Sequence, residues 1–173
     1  MPLSDVRVAD IMHPPTATIA PDRPLADALD ALAASTESFI VVAAEGGAPA
    51  GILTDGDVLR LVLAERLPPV GDAAALSSSS LLRRLSHSER LRQALGHHVS
   101  AWMTAPVATV EPEDTLDRVI DLLVAHGCRQ LPVVRDGRLA GFVRRSDLLG
   151  PIADAHREAA RESGAPDGES PLA

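Results

Sequence analysis

Lysine and tyrosine are absent from this 173-residue chain, cysteine occurs once, and aromatic residues make up 2%. With Phe39, Phe142 and Trp102 as its only aromatic rings, any core must be built from Ala, Leu, Val and Ile. There is no platform on which the bases of a single-stranded nucleic acid can stack. Cys128 alone allows neither an intramolecular disulfide nor a cysteine-built metal cage. Positive charge is also scarce: 16 arginines stand against 24 acidic residues, for a net charge of −8. Such a chain repels duplex DNA on average, which argues against general polyanion binding. No apolar run reaches membrane-spanning length, and the opening residues MPLSDVRVADIM carry no signal-peptide core. The expectation is a soluble cytoplasmic protein. No phosphate-binding P-loop, dinucleotide glycine fingerprint or Ser-His-Asp order occurs, so no catalytic constellation is in view.

What remains is ordinary globular composition, with 46% hydrophobic and 23% charged residues, organised by an internal repeat. Residues 8–19, VADIMHPPTATI, align with residues 99–110, VSAWMTAPVATV, at an offset of 91. Met12 falls on Met103, Pro15 on Pro106, Thr18 on Thr109 and Pro21 on Pro112. Further on, FIVV (39–42) matches LPVV (131–134), and GILTDGDVL (51–59) matches GFVRRSDLL (141–149). The chain is a duplication.

Each copy predicts the same elements. A short strand (Ala17–Ala20; Ala108–Val110) precedes an amphipathic helix. The apolar faces are Leu25, Ala28, Leu29 and Leu32 in one copy, and Leu116, Val119, Ile120 and Leu123 in the other. Asp22 and Asp114 are the expected helix-start residues. A strand (Phe39–Ala43; Leu131–Val134), a tight turn (EGGAP; RDGR) and a second strand (Ala50–Thr54; Leu139–Arg144) form a hairpin, closed by a helix from about Asp57 or Asp147. The expected organisation is repeat 1 at 5–66, a connection at 67–98, repeat 2 at 99–153 and a polar tail at 154–173. In the connection, Leu81, Leu82, Leu85, Leu91 and Leu95 suggest a helix, and four arginines against two acids make it locally basic. The end of the tail, ESGAPDGESPLA, reads as disordered. One copy of about 50 residues buries too little to be comfortably stable by itself.

Thr54 and Asp57 carry the chemistry of the first copy. A carboxylate in the first helical turn can accept hydrogen bonds from both hydroxyls of a ribose, and the free amides of a helix start suit a phosphate. The same spacing also makes a capping box that needs no ligand. Gly51 leaves room for a ligand or a neighbouring strand. In the second copy Gly141 and Asp147 persist, but Arg144 replaces the threonine, followed by Arg145 and Ser146. Arg144 can grip a phosphate with its fork, or pair with Asp147 or another carboxylate and leave the site empty. Cys128 reads as a small core thiol, His126 as a helix C-terminal cap, and the adjacent His97 and His98 announce no metal site.

Two β-α-β-β-α copies that close on GILTDGD and GFVRRSD, with HGCRQLPVV in the second, resemble a tandem pair of CBS domains, a Bateman module. The resemblance implies an α+β fold of two repeats packed as a pseudo-twofold module with a helical linker. It implies a regulatory binding module and not an enzyme. An adenosine-containing ligand (AMP, ADP, ATP or S-adenosylmethionine) would sit in a cleft between repeats and pass a signal to a protein target, with no cofactor required. It places the adenine base at Thr16, Ala17, Ala108 and Thr109, and the ribose and phosphate at Gly51, Thr54 and Asp57. Arg129, Arg144 and Asp147 are the corresponding candidates of the second copy. It further implies a homodimer. The other reading is an interaction scaffold with vestigial or salt-bridged clefts.

Overall fold

The structure is a computed structural model that describes residues 5–15, 17–64 and 89–162. It divides into two compact units: a central one, Thr16–Val107, and a terminal one that joins Met1–Pro15 to Ala108–Ala173. The leading segment of each copy thus belongs to the unit that holds the body of the other copy. Two expectations lie outside the described residues: most of the connection, including Leu81, Leu82 and Leu85, and the tail beyond residue 162. No helix among the described residues is long and apolar enough to cross a membrane.

In the central unit, β1 (Thr18–Ile19) runs parallel to β2 (Phe39–Ala43), and β2 pairs antiparallel with β3 (Pro49–Thr54). Helix α2 (Leu25–Ala34) precedes the hairpin and α3 (Asp55–Ala64) follows it. The β-branched run Ile40–Val42 is fully buried, as expected of a strand covered on both faces. Ile19, Leu25, Ala28, Ile40, Val42, Leu53, Val58, Leu61 and Val99 form the core. Leu25 and Ala28 are buried and Leu32 packs partly buried against the same core, whereas Leu29, expected on that face, is exposed at the edge of the stripe. Helix α4 (Glu89–Leu95) contributes Ala94 to the same core.

The terminal unit repeats this plan. Its first strand shrinks to one parallel bridge, Val110 to Val133, beside the hairpin β4 (Gln130–Arg135) and β5 (Arg138–Arg144). The RDGR turn has positive φ at both Asp136 and Gly137, the two-residue connection whose twist matches that of the strands it joins. Helix α5 (Leu116–His126) buries Leu116, Val119 and Leu123, and α6 (Leu149–Glu162) follows a short 3-10 turn, Arg145–Leu148. Each copy therefore shows the expected order, in an α+β fold.

The helix starts differ from expectation. Pro24 stands at the cap of α2 with no side-chain bond, and the Leu25 N–H donates instead to the His97 carbonyl at 2.8 Å. At α5 the capping oxygen is Thr115 Oγ1, which accepts from Arg118 N–H, while Asp114 turns back to accept from Glu111 N–H at 2.8 Å. At its far end the helix closes on left-handed Gly127, with Cys128 N–H donating to the Leu123 carbonyl. Cys128 packs half-buried against the core, and burial pushes its thiol up.

The leading segments complete both sheets. Val8 and Ala9, in the short helix α1 (Val8–Ile11), donate to the carbonyls of Asp114 and Pro112, each at 2.9 Å. Val99 and Ser100 donate in the same way to Arg23 and Pro21, each at 2.9 Å. His13 then pairs with Phe142, and Thr104 with Ile52, each through two backbone hydrogen bonds. Glycine is required opposite both pairings. A Cβ on Gly51 would lie 2.5 Å from Met103 Sδ and 2.9 Å from the Thr104 oxygen; one on Gly141 would collide with the His13 carbonyl and lie 2.5 Å from Met12 Cε.

Gly51→Val and Gly141→Val should each destabilise the fold by about 1–3 kcal/mol, the usual cost of overpacking. Gly150→Ala, with open space at its Cβ, should be neutral or slightly stabilising; chemical denaturation of the three variants checks this contrast. Cys128 should be alkylated by iodoacetamide at pH 7 more slowly than a free thiol, and faster as pH rises into the thiolate range. A pH-independent rate would contradict the burial argument.

Candidate functional site

In the central unit, β3 ends at Thr54 and α3 begins at once, which leaves the first-turn amides without helical partners. The Thr54–Asp57 pair meets that need. Thr54 N–H and Oγ1–H donate to Asp57 Oδ2 at 2.8 and 2.7 Å, and Asp57 N–H donates back to Thr54 Oγ1 at 3.2 Å. This is the reciprocal capping box, and it holds the carboxylate in one orientation. The side chain of Asp57 is 11% exposed, and its other oxygen, Oδ1, pairs with Arg60 one turn along the helix. The Arg60 side chain is 74% exposed, so that pair is a surface contact of about 0.2–1 kcal/mol.

The corresponding corner of the terminal unit keeps the strand-end hydrogen bond, enters its helix through the 3-10 turn Arg145–Leu148, and has different chemistry. Arg144 N–H donates to Asp147 Oδ2 at 2.7 Å, as Thr54 does to Asp57. The guanidinium then folds back, with Nε 3.4 Å from Asp147 Oδ1. His13 arrives from the leading segment, its Nε2 3.0 Å from Asp147 Oδ2 and 2.9 Å from the Arg144 terminal nitrogen. The imidazole stacks on Phe142 with ring centroids 5.2 Å apart, and the Arg144 guanidinium lies 5.7 Å from the same ring. Of the possibilities open for Arg144, pairing with Asp147 is the one observed.

The remaining candidates fall into place around these two corners. Gly51 is buried opposite Val42, and the space beside it is taken by Met103 and Thr104, the neighbouring-segment alternative. Ala17 is exposed just before β1, and Thr16 lies outside the described residues. Ala108 packs against the terminal core and Thr109 is half-buried beside it. Arg129 is exposed, and its carbonyl accepts from Arg145 N–H at 2.8 Å, the counterpart of Ser38 accepting from Asp55 N–H in the central unit. His97 and His98 are exposed around a shallow cavity of about 450 Å³ with Ser100. Among the described residues no cluster of three or more His, Cys, Asp or Glu could hold a metal ion.

Sequence reasoning passed over His13 and Arg60. His13 was signalled by the repeat register itself, since the residue after Met12 is histidine where the residue after Met103 is threonine. Arg60 was signalled by its place three residues after Asp57, within reach on one helix face.

Comparison with known proteins places this arrangement in context. The CBS domain of a membrane protein from Sphaerobacter thermophilus is 27% identical, with a TM-score of 0.64 over 86% of this chain and 88% of that one. CBSX2, solved in complex with AMP, is 23% identical, with a TM-score of 0.61 over 87% and 98%. The CBS domain pair of protein MJ0100, in complex with 5′-methylthioadenosine and S-adenosyl-L-methionine, is 19% identical, with a TM-score of 0.59 over 86% and 97%. Chloride channel protein CLC-f of Arabidopsis thaliana is 26% identical over 148 residues, 86% of this chain. The chain spans only 17 to 20% of the length of the curated relatives it matches. Residues 8–64 and 99–154 each match the CBS domain, and the chain belongs to the CBS-domain family as a tandem pair.

Proposed function

We propose that this chain is a regulatory module that binds an adenosine-containing ligand, AMP, ADP, ATP or S-adenosylmethionine, at Thr54 and Asp57, and passes the binding on to a protein partner in the cytoplasm. The observation that carries this reading is the orientation of Asp57. One carboxylate oxygen is committed to the cap, while the other meets only the weak, exposed pair with Arg60. A ribose diol can replace Arg60 there without disturbing the helix start, and the released guanidinium is then available to a phosphate. The complexes of CBSX2 with AMP and of MJ0100 with 5′-methylthioadenosine and S-adenosyl-L-methionine support the ligand class. Ala17 is proposed as part of the aliphatic surroundings of the base. Coupling to a partner requires only that the partner prefer one of the ligand-dependent states. Pairing into a homodimer through helices belongs to the same proposal, supported by exposed Leu59 on α3 and exposed Leu149 and Ile152 on α6.

Thermal denaturation with each of the four ligands should raise the melting temperature for at least one. A ligand at a hundred times its Kd adds about 2.7 kcal/mol. Asp57→Ala should abolish that shift. No shift from any of them at millimolar concentration would leave the scaffold reading, and an unchanged shift in Asp57→Ala would remove the site. Thr54→Ala should cost about 1 kcal/mol in the absence of ligand, through loss of the cap. Sedimentation equilibrium should return twice the 18.1 kDa chain mass; the single-chain mass would refute the dimer.

A further inference from the structure

The two corners share the strand-end N–H to carboxylate bond but present their carboxylates differently. At Asp57 the outward oxygen meets an arginine whose side chain is 74% exposed. At Asp147 both oxygens are engaged by groups that are themselves held. Arg144 reaches Oδ1 and, through its backbone N–H, Oδ2; His13 Nε2 lies 3.0 Å from Oδ2. The side chains of Arg144 and His13 are each 36% exposed, half that of Arg60, and both lie against the Phe142 ring. His13 is further fixed by its two backbone hydrogen bonds to Phe142.

A single ring nitrogen cannot both donate to Asp147 and accept from Arg144. If Nε2 carries the proton it donates to the carboxylate; if it is bare its lone pair accepts from the guanidinium. In either tautomer the imidazole closes the corner, and in both the Arg144 Nε contact to Oδ1 is kept. The guanidinium and imidazole therefore occupy the hydrogen-bonding positions that a ribose diol needs on this carboxylate.

We propose that the terminal unit's ligand corner is filled from within the chain by Arg144 and His13, so that the protein takes one adenosine-type ligand, at Asp57, rather than two. The count of one rests on the function proposed above; the internal block does not.

Two measurements on the full chain separate these. Isothermal titration with AMP and with S-adenosylmethionine should give one site per chain, lost in Asp57→Ala. The double variant His13→Thr, Arg144→Thr copies Thr104 and Thr54 of the central unit and should raise the count to two. Two sites in the unaltered protein, or one in the double variant, would overturn the proposal while leaving the function intact. Without any ligand, NMR solvent exchange of the Arg144 Nε–H should be at least tenfold slower than that of Arg60, and should accelerate in Asp147→Asn. Equal exchange at Arg144 and Arg60 overturns the block. Slow exchange at Arg144 with no binding of AMP, ADP, ATP or S-adenosylmethionine upholds the block and sinks the proposed function.

Discussion

The structure depends on an exchange of leading segments. Each sheet is small, and the backbone that completes it comes from the start of the other copy: amide to carbonyl at Val8, Ala9, Val99 and Ser100, then a two-bond bridge at His13 and Thr104. The exchange sets strict terms for side chains. Gly51 and Gly141 must lack a Cβ because a methionine and a peptide oxygen lie against them. Buried backbone donors and acceptors need partners, and here the partners lie between 52 residues (Thr104 to Ile52) and 129 residues (His13 to Phe142) away along the chain.

That constraint also explains how one duplicated frame supports two chemistries. Strand end, helix start and the first-turn carboxylate are fixed by backbone bonds common to both units, so Asp57 and Asp147 are placed alike whether or not a ligand is used. The residues that decide what the carboxylate meets, threonine or arginine at the strand end and threonine or histidine on the incoming segment, can change without disturbing the frame.

Much of this was legible in the residues. The offset of 91 announced the duplication, β-branched runs marked the strands, and glycine-rich or RDGR turns marked the hairpins. The Thr54–Asp57 spacing allowed both a cap and a ligand, and the cap is present. Other features were not legible because they depend on distant chain. Nothing local says that the first helix of the central unit is capped by the His97 carbonyl rather than by Asp22, or that Leu29 lies off the buried stripe. Likewise Gly51 reads equally well as room for a ligand or for a neighbour until the path of Met103 and Thr104 is known. The repeat register singled out His13 against Thr104, but its partner Asp147 lies 134 positions further on and only the fold brings the two together.

The exchange puts the repeat in sequence and the repeat in space out of phase. A cut made where the second copy begins, before Val99, would separate each sheet from the segment that finishes it. The piece of continuous chain that carries a complete core is Thr16–Val107, while the other unit is built from both ends of the chain. A change within residues 5–15 therefore acts on the unit that holds the body of the second copy.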